Sequence, residues 1–345
     1  MKTRHALALA FVIAAVLIAH SSAQQHSGTL PGQLETYVTD YVKLTPSQRA
    51  QLMAGKPVTR MLDADPSHEV SVVGAIWVNA PMSRYVQLAH NVEEFEKGEN
   101  FRITKRISSP PRIEDFARLD LPDEDVVDLR TCRVGSCELK LSEAALTRVR
   151  KEIDWSKPTA EADAEALARR IAFEYVNGYL EGGDARLAVY RDSARSTFVA
   201  REFKSMVDRM PSLTEFLPDL KQYLLGFPKA TLPNSESFLY WQEAKFGLKP
   251  TIRINHVVVS QQPTHAVIAS KMIYASHYFW TALELRVLVP DPTRGPGFWF
   301  VSVNRSRSDG LSGFVGRLIR GKVQGEAEKG MLAALNMTKA RTEQK

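Results

Sequence analysis

Hydrophobic positions along this chain change their spacing several times, and each change marks an element. Ala6 to Ala19 is apolar throughout, but these fourteen residues are fewer than the about 20 needed to span a bilayer. Lys2 and Arg4 precede the run, and His20-Ser21-Ser22-Ala23 follows it with small residues suited to cleavage before Gln24. This is the pattern of a secretory signal peptide, residues 1–23, and it predicts an exported protein, periplasmic or secreted. From 24 to 66 the pattern is helical: Thr45-Pro46 reads as an N-cap followed by proline at the first helical position, and Gly55 as the stop. At Val70 the period becomes two. Val70, Val72, Gly74, Ile76 and Val78 alternate with Ser71, Val73, Ala75 and Trp77, which predicts a well-buried strand. Asn79-Ala80-Pro81 ends it, and Tyr85, Leu88, Ala89 and Val92 make a short amphipathic helix. A second strand is expected at Phe101–Ile107, stopped by Pro110-Pro111, and a third at Glu138–Leu141.

The segment 142–232 reads as a helical block. Leu167, Ile171, Tyr175, Val176 and Tyr179 recur at helical spacing after the cap Thr159, and Gly182-Gly183 stops the helix. A second helix carries Phe198, Phe203, Met206 and Val207, and Pro211, Pro218 and Pro228 cut the remainder into short pieces. Within 233–340 the strands return: Phe238–Phe246 and Thr251–Ser260 form a hairpin through Gly247-Leu248-Lys249-Pro250. One long strand, His265–Val289, and a last one, Phe298–Asn304, complete a four-strand meander. A final helix, capped by Ser308 or Asp309, is expected to reach about Lys339 with an apolar stripe of Leu311, Phe314, Val315, Leu318, Ile319 and Val323. Glycines at 310, 313, 316, 321, 325 and 330 stud it. Each costs about 1 kcal/mol against alanine inside a helix, so close approach to a sheet or ligand, a mobile gate, or plain small-residue packing has to account for them. The fold class is α+β.

The run Val70-Ser71-Val72-Val73-Gly74-Ala75-Ile76-Trp77-Val78-Asn79-Ala80-Pro81 resembles the first strand of the START-like, or helix-grip, superfamily, which includes the birch-pollen allergen. The closing meander feeding a helix from Leu311 is similar to the end of that fold. The resemblance covers 67–141 and 233–340, and it makes 142–232 a helical insertion or lid. It implies a curved antiparallel sheet around the long C-terminal helix, and between meander and helix an apolar cavity, closed by that helix, for a hydrophobic or amphipathic, lipid-like molecule. Some members of the superfamily are cofactor-independent cyclases or hydrolases, so the fold leaves the activity open.

Composition, at 44% hydrophobic and 24% charged, is that of an ordinary globular protein. Two units of the formal charge of +6 belong to Lys2 and Arg4. With export, this modest basicity argues against a nucleic-acid partner. Cys132 and Cys137 are the two cysteines, in Cys-Arg-Val-Gly-Ser-Cys. In an exported chain the pair reads as a disulfide closing a turn at Gly135. A metal site would need further ligands, and no histidine lies between His90 and His256.

Catalytic signatures such as Gly-x-Ser-x-Gly, His-Glu-x-x-His or a phosphate-binding loop are absent from the sequence, and no cofactor is expected. Polar residues inside apolar strands are the remaining leads. Period two puts His256 beside Ile252, Ile254 and Val258, His277 beside Ile273, Ala275, Phe279 and Leu283, and Arg305 and Arg307 on the face of Val301 and Val303. Glu243 or Glu284 is the expected partner of Arg305. Trp241, His256, Tyr274, His277, Phe279, Arg305 and Phe314 are the candidate ligand-binding residues. His256 and His277 double as candidate acid and base, and as satisfied core histidines. Arg305, Arg307, Arg317, Arg320 and Lys322 fit either a peripheral membrane contact through the C-terminal helix or a solvated helix face. A module of the envelope presenting the helical block to a partner is the third functional class.

Overall fold

The computed structural model describes residues 29–245, 249–311 and 313–344, with the backbone alone at 313–315, 317 and 318. The expected signal peptide therefore lies outside the described residues, as do the hairpin residues Phe246-Gly247-Leu248 and the side chain of Phe314. Helices α1 (Gly32–Thr36) and α2 (Pro46–Met53) come first, joined by a π-helical turn at Tyr37–Val42. Thr45 caps α2 through its side chain, which accepts from the Gln48 amide at 3.2 Å while Gln48 Oε1 accepts from the Thr45 amide at 3.1 Å. Strands β1 (Val58–Met61) and β2 (Glu69–Val78), helices α3 (Met82–His90) and α4 (Val92–Phe95), and strand β3 (Phe101–Arg106) follow. Then come α5 (Asp123–Leu129), α6 (Glu143–Glu152), α7 (Ala160–Gly182), a small hairpin of β4 (Val189–Tyr190) and β5 (Thr197–Phe198), α8 (Val199–Asp208), α9 (Pro211–Phe216) and α10 (Pro218–Gly226). Five strands close the sheet, β6 (Ser235–Lys245), β7 (Pro250–Gln261), β8 (Ala266–Ala275), β9 (Phe279–Pro290) and β10 (Phe298–Ser308), before the terminal helix α11 (Gly313–Glu343).

Eight strands form one sheet in the order β1-β2-β10-β9-β8-β7-β6-β3, every neighbouring pair antiparallel. All ten residues of β2 are buried because both faces of the sheet are covered. On one face Val72, Ile76, Val78, Phe298 and Phe300 pack under α3 and α11. Gly74 lets α11 lie directly on β2, since a Cβ there would stand 2.7 Å from Met331 Cγ. On the opposite face, Val73, Ala75, Trp77, Leu285, Val301 and Val303 share a core with α1, α2 and α8–α10. At the other end of that face Leu239, Trp241, Ile252, Ile254 and Ile273 pack against α5–α7.

Several expectations are corrected. His265–Val289 is two strands, β8 and β9, so the meander has five strands. The chain reverses at Ser276-His277-Tyr278 without glycine or proline, and tertiary contacts hold the turn. Ser276 exchanges hydrogen bonds with the backbone of Ile252, and Tyr278 adopts φ +59°. Glu138–Leu141 is not a strand: Lys140 donates to Ser276 and Leu141 accepts from Arg191, single bonds to two different segments with no ladder. Helix α5 precedes the expected helical block, and Ser308 ends β10 rather than capping α11. Among the described side chains of α11, Met331, Leu335, Thr338 and Thr342 are buried; of the expected stripe Leu311 is buried, Ile319 and Val323 are exposed, and the side chains of Phe314, Val315 and Leu318 lie outside the described residues. Nothing comes within 4 Å of where a Cβ would stand at Gly321, Gly325 or Gly330, so close packing does not explain those glycines. Cys132 and Cys137 form the expected disulfide, with an S–S distance of 2.00 Å. Its turn docks on the β4–β5 loop through Gly135 and Cys137 amides donating to Arg191 and Asp192 carbonyls.

Candidate functional site

A cavity of about 790 Å³ opens on the face of the sheet opposite α11. Period two on β9 and β10 creates its floor. Leu285, Val287 and Val289 alternate with the oppositely directed Glu284 and Arg286, and Val301 and Val303 lie beside them in register. Leu34 and Tyr37, from α1 and the π-helical turn, form one wall, and Met210, Leu213, Phe216 and Leu217 around α9 form another. Pro263, Thr264 and His265, in the β7–β8 turn, close one end. Burial lowers the His265 pKa from its ordinary value.

The opposite end is charged. Arg305 there continues the floor of Val301 and Val303, while Asp63 and Arg209 stand at the rim. Arg305 lies in the sheet interior, where an unpaired guanidinium would be costly. Its partner is Glu69 rather than Glu243 or Glu284: Arg305 Nη2 and Nε donate to Glu69 Oε2 at 2.6 and 3.2 Å. Arg307 Nη1 donates to the other carboxylate oxygen at 2.6 Å, and its Nε donates to Glu202 at 2.8 Å. Both oxygens of the fully buried Glu69 are thus occupied by arginine, and the two guanidinium groups are fixed as one rigid unit. The sequence pattern misses this because Glu69 precedes the strand's apolar run, and only the pairing of β2 with β10 sets Glu69 opposite Arg307.

Of the sequence candidates, Arg305 lines this cavity and Trp241, His256, Tyr274, His277 and Phe279 do not. Trp241 sits in the core beneath α7, its indole N–H donating to the Asp115 carbonyl at 2.9 Å. Tyr274 packs edge-on to Tyr175 and Tyr190, and Phe279 opens β9 beside Tyr278. His277 lies in the β8–β9 turn, with Nε2 2.8 Å from Asp125 Oδ1 and Nδ1 3.2 Å from the Glu138 carbonyl. His256 is enclosed: Nδ1 lies 2.9 Å from the Tyr179 hydroxyl and Nε2 3.3 Å from that of Tyr223. Burial, reinforced by the charge of Lys271, pushes its pKa down to about 3. Lys271 is itself buried and bonded to Asp184 and the Leu224 carbonyl. Neither histidine lines any of the described cavities.

Beneath α3 and α4 a second buried polar layer is closed on itself. Gln242 links Thr104 to Arg253, at 2.8 and 2.6 Å, and Arg253 and Arg286 reach Glu284 at 3.2 and 3.0 Å. Glu96 stands against both arginines, which balances two positive with two negative charges. Among the described residues, no group of three or more His, Cys, Asp or Glu is placed to hold a metal ion. No described helix is long and apolar enough to cross a membrane.

In comparisons with known proteins, no family model matches this chain and no curated protein matches it in sequence.

Proposed function

We propose that this protein binds a hydrophobic or amphipathic small molecule in the cavity over β9 and β10. The observation that carries the reading is the cavity itself: about 790 Å³, floored by Leu285, Val287, Val289, Val301 and Val303, with the charged residues Asp63, Arg209 and Arg305 in its lining. That volume and that division of walls suit a small-molecule site, for which about 300–1,000 Å³ is usual. Burying an alkyl chain there would gain about 0.8 kcal/mol per methylene. The helix-grip resemblance receives separate support from the strand order, which sets β2 beside β10 and β3 beside β6. It is also supported by the two short helices between β2 and β3 and by α11 crossing β2. In that reading the residues between β3 and β6 are an insertion, and the proposed ligand lies between the sheet and the insertion, on the face away from α11 and not under that helix as expected, where Met331 and Leu335 pack onto the sheet. The Cys132–Cys137 disulfide fits an exported protein in an oxidising compartment.

An acid–base role for His256 and His277 gains no support, because one is sealed between tyrosines and the other is tied into a turn. Nor does a partner surface on 142–230, where Phe198 is the one exposed large apolar side chain among the described residues. Titration of the purified protein with the uncharged fluorophore N-phenyl-1-naphthylamine tests the proposal. Saturable binding is expected, weakened at least tenfold by Val287→Trp, which fills the cavity from its floor. Absence of binding, or binding indifferent to Val287→Trp in a folded variant, would overturn the reading.

A further inference from the structure

We infer that the molecule bound in this cavity is a single-chain amphiphile with a carboxylate head, its head at Arg209 and its tail along β9 and β10. This inference rests on the cavity reading above and adds the charge and the direction of the ligand. Sheet register supplies the direction. Arg305 lies opposite Leu283, Val303 opposite Leu285, Val301 opposite Val287 and Trp299 opposite Val289. The strip from Arg305 to Trp299 therefore spans seven residues, or six steps of roughly 3.3 Å, about 20 Å in all. Charge is found where the strip starts, and branched aliphatic side chains follow, which is the polarity profile of a head and an extended tail.

The sign of the head follows from which polar groups are left with unused capacity. Arg305 and Arg307 are committed to Glu69 and Glu202. Arg209 differs. Its carbonyl accepts from Arg305, and its exposed guanidinium makes neither a hydrogen bond nor an ion pair with any described residue, although it acts from a longer range on the Asp65 carboxylate, which Arg307 holds at 3.6 Å. Tyr37 lines the same cavity, and its hydroxyl likewise has no hydrogen-bond partner among the described residues. Burial keeps that hydroxyl protonated and hence a donor. An arginine and a phenol with unused N–H and O–H groups call for an acceptor, and a carboxylate both accepts from each and carries the charge opposite to that of the guanidinium. Asp63, the one carboxylate lining the cavity, is the opposing charge. It is exposed and stays hydrated, so leaving it unpaired costs little, whereas the partly buried Tyr37 donor gains most from an acceptor.

Displacement of N-phenyl-1-naphthylamine from the purified protein at pH 8, with three probes of equal chain length below their aggregation limits, tests the inference. Palmitate should bind at least tenfold tighter than hexadecanol, and hexadecylamine should bind no tighter than the alcohol. Arg209→Gln should bring palmitate down to the level of hexadecanol, with a several-fold smaller effect on hexadecanol itself. Arg209→Lys should restore most of the preference, and Asp63→Asn should tighten palmitate. Equal binding of palmitate and hexadecanol would overturn the inference, as would an equal loss of both in Arg209→Gln. A preference for hexadecylamine that Asp63→Asn abolishes would reverse the sign of the head. All of these outcomes leave the cavity reading intact. Failure of the neutral fluorophore and of all three probes to bind would instead remove the reading on which the inference stands.

Discussion

Acidification from pH 7.5 to 5.0 should cost the folded protein about 2 kcal/mol at a single ring, that of His256. Inside the fold this imidazole is flanked by the hydroxyls of Tyr179 and Tyr223, and Lys271 nearby opposes a second positive charge. Its pKa falls from the ordinary 6.5 to about 3, with burial the main cause. Because the folded value is the lower one, the contribution is complete above pH 6.5. It then declines at about 1.4 kcal/mol per pH unit, as the unfolded chain takes up a proton that the folded chain refuses. At pH 5.0 the folded ring is still almost wholly neutral, while the unfolded one is about 97% charged, which yields the 2 kcal/mol. Urea unfolding followed by tryptophan fluorescence at pH 7.5, 6.0 and 5.0 measures it, with His256→Gln as the reference. The substitution lowers stability at every pH by disturbing the two tyrosines, so the quantity read is the pH dependence alone. Carboxylates, and His265, whose pKa burial also lowers, contribute equally to both proteins and cancel in the comparison. If wild type and variant lose the same stability over this range, the sealed neutral histidine is refuted.

Glu69→Ala should destabilise the protein by about 3–5 kcal/mol, since Arg305 and Arg307 would be left buried without their shared carboxylate; a loss below 1 kcal/mol in urea unfolding would contradict that. Gly183→Ala should cost several kcal/mol or prevent folding, because φ is +57° and a Cβ would meet the Phe227 carbonyl oxygen at 1.8 Å; recovery of a stable variant would disprove the close approach. Replacing Cys132 and Cys137 by serine should remove about 2 kcal/mol, as expected for a short closed loop, and leave fluorophore binding unchanged, because the turn packs on the β4–β5 loop rather than on the cavity. Alanine at Gly321, Gly325 and Gly330 together should raise the melting temperature, each change adding up to about 1 kcal/mol, since all three positions are open to a Cβ; a fall in melting temperature would show that α11 needs its glycines for another reason.

Periodicity, caps and breakers in the sequence determine the α+β class, β2 and β3, the outer strands of the meander, the Thr45 cap and the cysteine pairing. These are features in which neighbouring residues act on each other directly, through a twofold or 3.6-fold spacing or a short covalent loop. The alternation also places Arg305 and Arg307 on the face of Val301 and Val303, and it separates Leu285 and Val287 from Glu284 and Arg286. What covers a face is a different matter. The cavity depends on Tyr37 and Arg209 converging on Val303 from distant parts of the chain, and no local pattern encodes that meeting. The break at Ser276–Tyr278 has no glycine or proline to announce it, because Ile252, Asp125 and Glu138 hold the turn from outside. Arg305 chooses Glu69 over Glu243 or Glu284 because β2 pairs with β10, bringing together residues 236 positions apart. Tertiary structure alone decides these contacts, since each requires the sheet to be closed before the two groups can meet.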